Sequence, residues 1–164
     1  MTDCNTQLAF SFYEQSRLVA DFAGGQITGD AGLLPLRELD ERLGWSKAAA
    51  EELSDERDPA KITHDTLELL RQRLFGLVAG YEDANDHDRL RSDPALKLVS
   101  GRGVDDDEAL ASQPTLSRFE NAVTARQIVR LNRLLVRQYI QLHREKPPEQ
   151  IILDVDPTDD PCHG

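Results

Sequence analysis

Residues 150–164 read Q-I-I-L-D-V-D-P-T-D-D-P-C-H-G, and the organisation of the chain follows from this stretch. Ile151, Ile152, Leu153 and Val155 form a short, β-branched-rich apolar run, the composition of a buried strand. Asp154 and Asp156 stand at its end, and side chains at i and i+2 of a strand face the same side. Both carboxylates therefore emerge together where Pro157 begins a turn, the place at which metal-dependent phosphoryl-transfer sites set their first acidic ligand. A two-metal site needs carboxylates from several elements converging on cations roughly 4 Å apart, so one strand begins such a site without completing it. The bland alternative is an acidic turn after a buried strand.

Working back from that stretch, Pro147-Pro148 ends a long helical pattern over Ala125 to Arg144. At 100° per residue, Arg126, Arg130, Arg133, Arg137 and Arg144 lie within about 60° of one another, and Ile128, Leu131, Leu135, Tyr139 and Leu142 occupy the opposite side. An arginine ridge of about 27 Å can follow several duplex phosphates through bidentate hydrogen bonds. It can equally be a solvated face whose arginines pair with acids elsewhere. Charge distribution sharpens the question. The 164 residues carry a net charge of −11, yet residues 114–146 hold 7 Lys and Arg against 2 acids, and residues 147–164 hold none against 5.

The earlier chain reads as helices. Arg17 to Phe22 alternates as a strand, Gly24-Gly25 turns, and Gln26 to Gly29 is its return partner in a small hairpin. Asp30 caps a helix carrying Leu33, Leu36, Leu39 and Leu43 and closed by Gly44, and Ser46 caps another through Leu53. From Thr63, the residues Leu67, Leu70, Leu74, Leu77, Val78 and Tyr81 define one apolar helix face. Asp93-Pro94 starts a brief helix through Val99, Gly101 to Glu108 is a glycine-rich acidic loop, and Thr115 caps the turn T-L-S-R-F-E.

Other candidate chemistry is weak. The acidic tract Asp83 to Asp88 lacks the glycine and glutamate of a calcium-binding EF loop and reads as a capping or solvated loop. His64 reads as structural, and Cys162-His163 has no second ligand pair at zinc spacing. Cys4 and Cys162 have no disulfide-framework spacing. No run of ~18 apolar residues spans a membrane and no signal pattern begins the chain, so a soluble, cytoplasmic protein is expected.

Several blocks together resemble the insertion-sequence DDE transposases of DDE group one, the thirteen-eighty family. They are Gly32 to Gly44, Gln72-Arg73, Ala79 to Asp88 (A-G-Y-E-D-A-N-D-H-D), Leu90 to Pro94 (L-R-S-D-P), Ala111 to Asn121 (A-S-Q-P-T-L-S-R-F-E-N) and Leu153 to Gly164. The resemblance covers the front part of such an enzyme. It implies that the last block is the first strand of a ribonuclease-H-like catalytic domain and supplies the first of three acidic ligands. It favours Asp156 as the catalytic and metal-binding aspartate, with Asp154 as rival; Pro157 departs from the small residue usual before the threonine.

The resemblance thus implies a mainly α chain. Residues 1–29 would be an arm and hairpin, 30–148 a helical DNA-binding region, and 149–164 the first strand of a truncated ribonuclease-H-like domain. The complete enzyme would cleave DNA and transfer strands with Mg²⁺, its partners being transposon-end DNA rather than a membrane or small molecule. Arg118, Arg126, Arg130, Arg133, Arg137 and Arg144 are the candidate DNA contacts. The second Asp and the Glu lie beyond residue 164 in this reading, so this chain alone is expected to be inactive and to bind no metal tightly. Its unpaired terminal strand makes self-association an expectation. The rival reading is a non-catalytic DNA-binding or helical protein-interaction module.

Overall fold

The computed structural model describes residues 27–104 and 107–155, together with the backbone of residues 7–10 and 18–21. Those residues fall into two compact units, Met1–Val123 and Thr124–Gly164. Seven α-helices dominate, as the apolar periodicity requires.

In the first unit, strands β1 (Gln7–Phe10) and β2 (Leu18–Asp21) pair antiparallel, with Gln7 opposite Asp21 and Phe10 opposite Leu18. Of the strand expected over Arg17 to Phe22, Leu18–Asp21 form β2, and its partner precedes it; Arg17 and Phe22 lie outside the described residues. Residues 27–29 of the expected return strand are irregular, because Thr28 is engaged elsewhere. Its hydroxyl donates to Asp93 Oδ1 at 3.1 Å and accepts from the Asp30 amide.

Helix α1 (Leu33–Leu43) begins at Gly32 with no side-chain cap. Asp30 does not cap it as expected, since its carboxylate accepts the Tyr81 hydroxyl at 3.1 Å instead. Gly44, in the left-handed conformation at φ 64°, both closes α1 and opens α2 (Trp45–Glu51). Ser46 lies inside α2 rather than at its cap. Its buried hydroxyl donates to Asp40 Oδ2 at 2.6 Å and accepts from Arg71 Nε at 2.9 Å.

Asp65 caps α3 (Thr66–Val78) by accepting from the Glu68 amide at 2.7 Å. The buried face of α3 is not the leucine stripe. It carries Leu69, Arg71, Gln72, Phe75 and Gly76, while Leu77 and Val78 are exposed. After a 3-10 turn at Ala84–Asp86 come α4 (His87–Leu90) and α5 (Pro94–Ser100), the latter capped by Asp93 and closed by Gly101 at φ 109°. Helix α6 (Gln113–Asn121) starts before the expected cap Thr115. Its first amide, that of Gln113, is satisfied from a distance by Asp88 Oδ1 at 3.0 Å.

α3 packs against α2, α5 and α6. One apolar cluster joins Leu33, Phe75, Leu96, Val99 and Leu110, and a second joins Leu69, Ala111 and Leu116.

The second unit contains α7 (Ala125–Leu142), the longest helix, opened by a full capping box between Thr124 and Gln127. The strand expected over Ile151 to Val155 is not formed. Those residues have no regular structure, and Ile152, Leu153 and Val155 are more than four-fifths exposed. A strand is defined by a ladder partner, and among the described residues this run has none.

Candidate functional site

Asp154 lies in an exposed, irregular segment, and Asp156 falls outside the described residues. Among the described residues, no group of three or more His, Cys, Asp or Glu side chains is arranged to hold a metal. One exposed carboxylate does not fit a divalent cation of the two-metal kind, which needs acids from separate elements.

The tract Asp83 to Asp88 is structural. The Asp83 carboxylate accepts from the backbone and side chain of Asn85, which holds it below its ordinary pKa, and Asp88 caps α6. His64 Nδ1 lies 2.6 Å from Glu68 Oε1, in a cluster closed by Arg102.

The basic candidates fare differently. Arg126, Arg133 and Arg137 are exposed on α7 and Arg130 is half-buried, all on one side of the helix. Arg144 does not extend this ridge. The helix ends at Leu142, and Arg144 lies in the bend that follows, where the lysine- and proline-containing tail leaves the helical path. Arg118, on α6, is exposed and makes a long contact of 3.5 Å with Thr115 Oγ1.

In the first unit Arg37, Arg42, Arg57, Arg71, Arg73 and Arg102 all have carboxylates within ion-pair distance. Arg126, Arg130 and Arg133 have none among the described residues. Helix α7 contains no acid of its own, so its ridge is a run of positive charge on an acidic chain. Arg133 and Arg137, with Val129, Asn132 and Val136, line a shallow, open groove beside the ridge.

The side of α7 away from the arginines is also not covered as an amphipathic helix predicts. Gln127 and Leu134 are buried and Leu131 is half-buried, but Ile128, Leu135, Tyr139 and Leu142 are exposed by 51, 50, 42 and 62 %.

Sequence reading missed a buried polar network in the first unit. Gln72 Nε2 donates to the Ala111 carbonyl at 2.9 Å, and Gln72 Oε1 accepts from the Ala111 amide at 3.0 Å. The same amide nitrogen lies 3.4 Å from Nδ1 of the fully buried His87, whose Nε2 has no hydrogen-bond partner. Burial pushes the His87 pKa down, and the charge of Arg73 adds to this. Arg73 donates to the carbonyls of Tyr81 and Glu82 and pairs with Glu120. Gln72, Arg73, His87, Asp88 and Ala111 all belong to the blocks that carried the family resemblance. Here they tie α3, the 81–88 segment and α6 together. That shared membership was the signal available in the sequence, although its structural meaning was not.

A family model described as transposase DDE domain group 1 matches residues 10–164. No curated protein and no solved structure matches the chain.

Proposed function

The chain belongs to the DDE group 1 transposases, and from that membership we propose that it is the helical front part of an insertion-sequence transposase of the thirteen-eighty family, engaging transposon-end DNA. The family acts in transposition and generally uses a divalent metal such as Mg²⁺. In this reading residues 1–29 are an arm and hairpin, 30–148 a DNA-contacting helical region, and 149–164 the entry into a ribonuclease-H-like catalytic domain. Asp156, with Asp154 as its rival, is the first acidic ligand. A two-metal site takes further acids from other elements, and among the described residues no such group gathers around Asp154.

One observation supports the DNA-contacting part above the others. Among the described residues Arg126, Arg130 and Arg133 have no carboxylate within ion-pair distance, whereas Arg37, Arg42, Arg57, Arg71, Arg73 and Arg102 of the first unit do. Phosphates are a fitting counter-charge, because guanidinium binds them bidentately and α7 presents its arginines along one line. Among the described residues no helix is long and apolar enough to cross a membrane, so a bilayer-spanning role draws no support from them.

The test is duplex binding by the 164-residue chain at increasing salt. Binding is expected to be weak and to fall steeply with salt, and charge reversal at Arg130, Arg133 and Arg137 together should abolish it. Equal binding by the parent and the triple variant would remove the ridge from the DNA interface.

A further inference from the structure

Gln127 and Leu134 are the buried residues of α7, and at 100° per residue the direction opposite them is taken by Val129, Asn132 and Val136, all within about 30° of it. Solvent-facing positions of a helix are ordinarily charged or strongly polar. Here Val129 and Val136 are 48 and 59 % exposed, and they bracket the exposed Asn132. All three border one shallow, open groove with Arg133 and Arg137. A single strip therefore presents two branched apolar side chains, an amide between them and a flank of guanidinium groups.

The charge of the flank selects the occupant. Arg126, Arg130, Arg133 and Arg137 run along one edge of the strip and α7 has no acid, so a polyanion is its complement. A helix with its side chains is about 10–12 Å across and fits the major groove of B-DNA, about 12 Å wide. From Val129 to Val136 the rise is about 10 Å, which covers about three base pairs. The major-groove edge of an A·T pair matches the strip. Adenine N7 and N6 take the two ends of an asparagine amide, and the thymine methyl takes an apolar contact, whereas a G·C pair offers no methyl and sets two acceptors side by side on guanine. Ile128 and Tyr139 border the other edge of the strip and carry no charge, so the arginines serve one strand. We propose, on the basis that α7 contacts DNA, that this strip reads A·T base pairs in the major groove. Asn132 pairs with an adenine edge, Val129 and Val136 seat against thymine methyl groups, and the arginine ridge holds the phosphates of one strand.

Fluorescence anisotropy of the full 164-residue chain with duplexes of about two helical turns, at one low salt concentration, tests the reading. A duplex of mixed A·T sequence should bind about tenfold tighter than a G·C duplex, and Asn132→Ala should remove the difference while keeping the G·C affinity. Replacing thymine by uracil deletes only the methyl. It should weaken the parent and hardly affect a Val129→Ser, Val136→Ser chain. An inosine·cytosine duplex, with a minor groove like A·T and a major groove like G·C, should bind as G·C does. Circular dichroism should show the same helix content in every variant. Equal affinity for A·T and G·C, with binding still abolished by charge reversal at Arg130, Arg133 and Arg137, overturns base reading and leaves the phosphate-contacting ridge standing. Inosine·cytosine bound as tightly as A·T places recognition in the minor groove and overturns the proposal. A parent chain that binds no duplex overturns both this inference and the DNA role on which it rests, and leaves the strip as a protein-docking face.

Discussion

Gln72 and Ala111, 39 residues apart in sequence, exchange two hydrogen bonds through one side-chain amide, which donates to the Ala111 carbonyl and accepts from the Ala111 amide. The Gln72 side chain does for residue 111 what a neighbouring strand would do, and both residues are fully buried. Replacing Gln72 with Ala leaves a buried donor and acceptor unsatisfied and opens a cavity beside them. The expected loss of stability is about 2–4 kcal/mol, read as a lower urea midpoint with an unchanged slope.

His87 makes the first unit sensitive to mild acid. The amide of Gln72 faces Nδ1, so the ring proton sits on Nε2, which has no partner and no access to water. The charged groups around it are Arg73 on α3, Asp86 and Asp88 in its own segment, and Glu120 on α6. Its folded pKa lies below the ordinary histidine value, so the folded state binds fewer protons than the unfolded state in mild acid. Stability is full above the unfolded value of about 6.5 and is lost as pH falls through it toward the folded value, by at most ~1.4 kcal/mol per pH unit. The displaced acids titrate lower, Glu41 at about 2, and leave this window to His87. Denaturation midpoints from neutral pH to about pH 5.5 should fall in the parent and stay flatter in His87→Leu.

Gly76 is the floor on which that ring rests. A Cβ at this position would stand 2.5 Å from His87 Cε1 and 2.7 Å from Nε2, and the buried ring has nowhere to retreat. Gly76→Ala should therefore destabilise by about 1–3 kcal/mol despite the better helix propensity of alanine. Gly29→Ala meets no atom within 4 Å and should be close to neutral. In a double-mutant cycle, His87→Ala should recover part of the loss caused by Gly76→Ala, and strict additivity would show that the two residues do not press on each other.

Thr124 and Gln127 satisfy each other's backbone amides at the start of α7, at 3.4 and 2.7 Å. Thr124→Ala removes one half of this arrangement and should cost about 1 kcal/mol. Faster amide exchange confined to the first turn of α7 is the signature that separates this effect from global unfolding.

What the sequence made legible was local. Asp93-Pro94 opens α5, Gly44 closes α1, and the long amphipathic pattern after Thr124 is α7, because each signal is carried by residues within a turn of where it acts. The inner face of α3 was illegible, because periodicity places apolar residues inside and Gln72 outside. Gln72 is buried only because its partner arrives from residue 111. Asp30 looked like a cap for the same reason in reverse, since its competing partner, Tyr81, lies 51 residues away. At the candidate site, the arginine spacing was readable from Arg126 to Arg137. The helix end that separates Arg144 from them was not, because Glu145 and Lys146 carry no stop signal before the prolines.

The joint formed by Gln72, Arg73 and His87 also bears on how a mutational screen of transposition would look. Substitutions there would score as severely as the loss of a metal-binding aspartate, although none of the three is proposed to touch DNA or metal. The two classes separate on a different axis, the yield of soluble protein. A broken joint lowers recovery from cells along with activity, whereas a lost ligand leaves a well-behaved but silent protein.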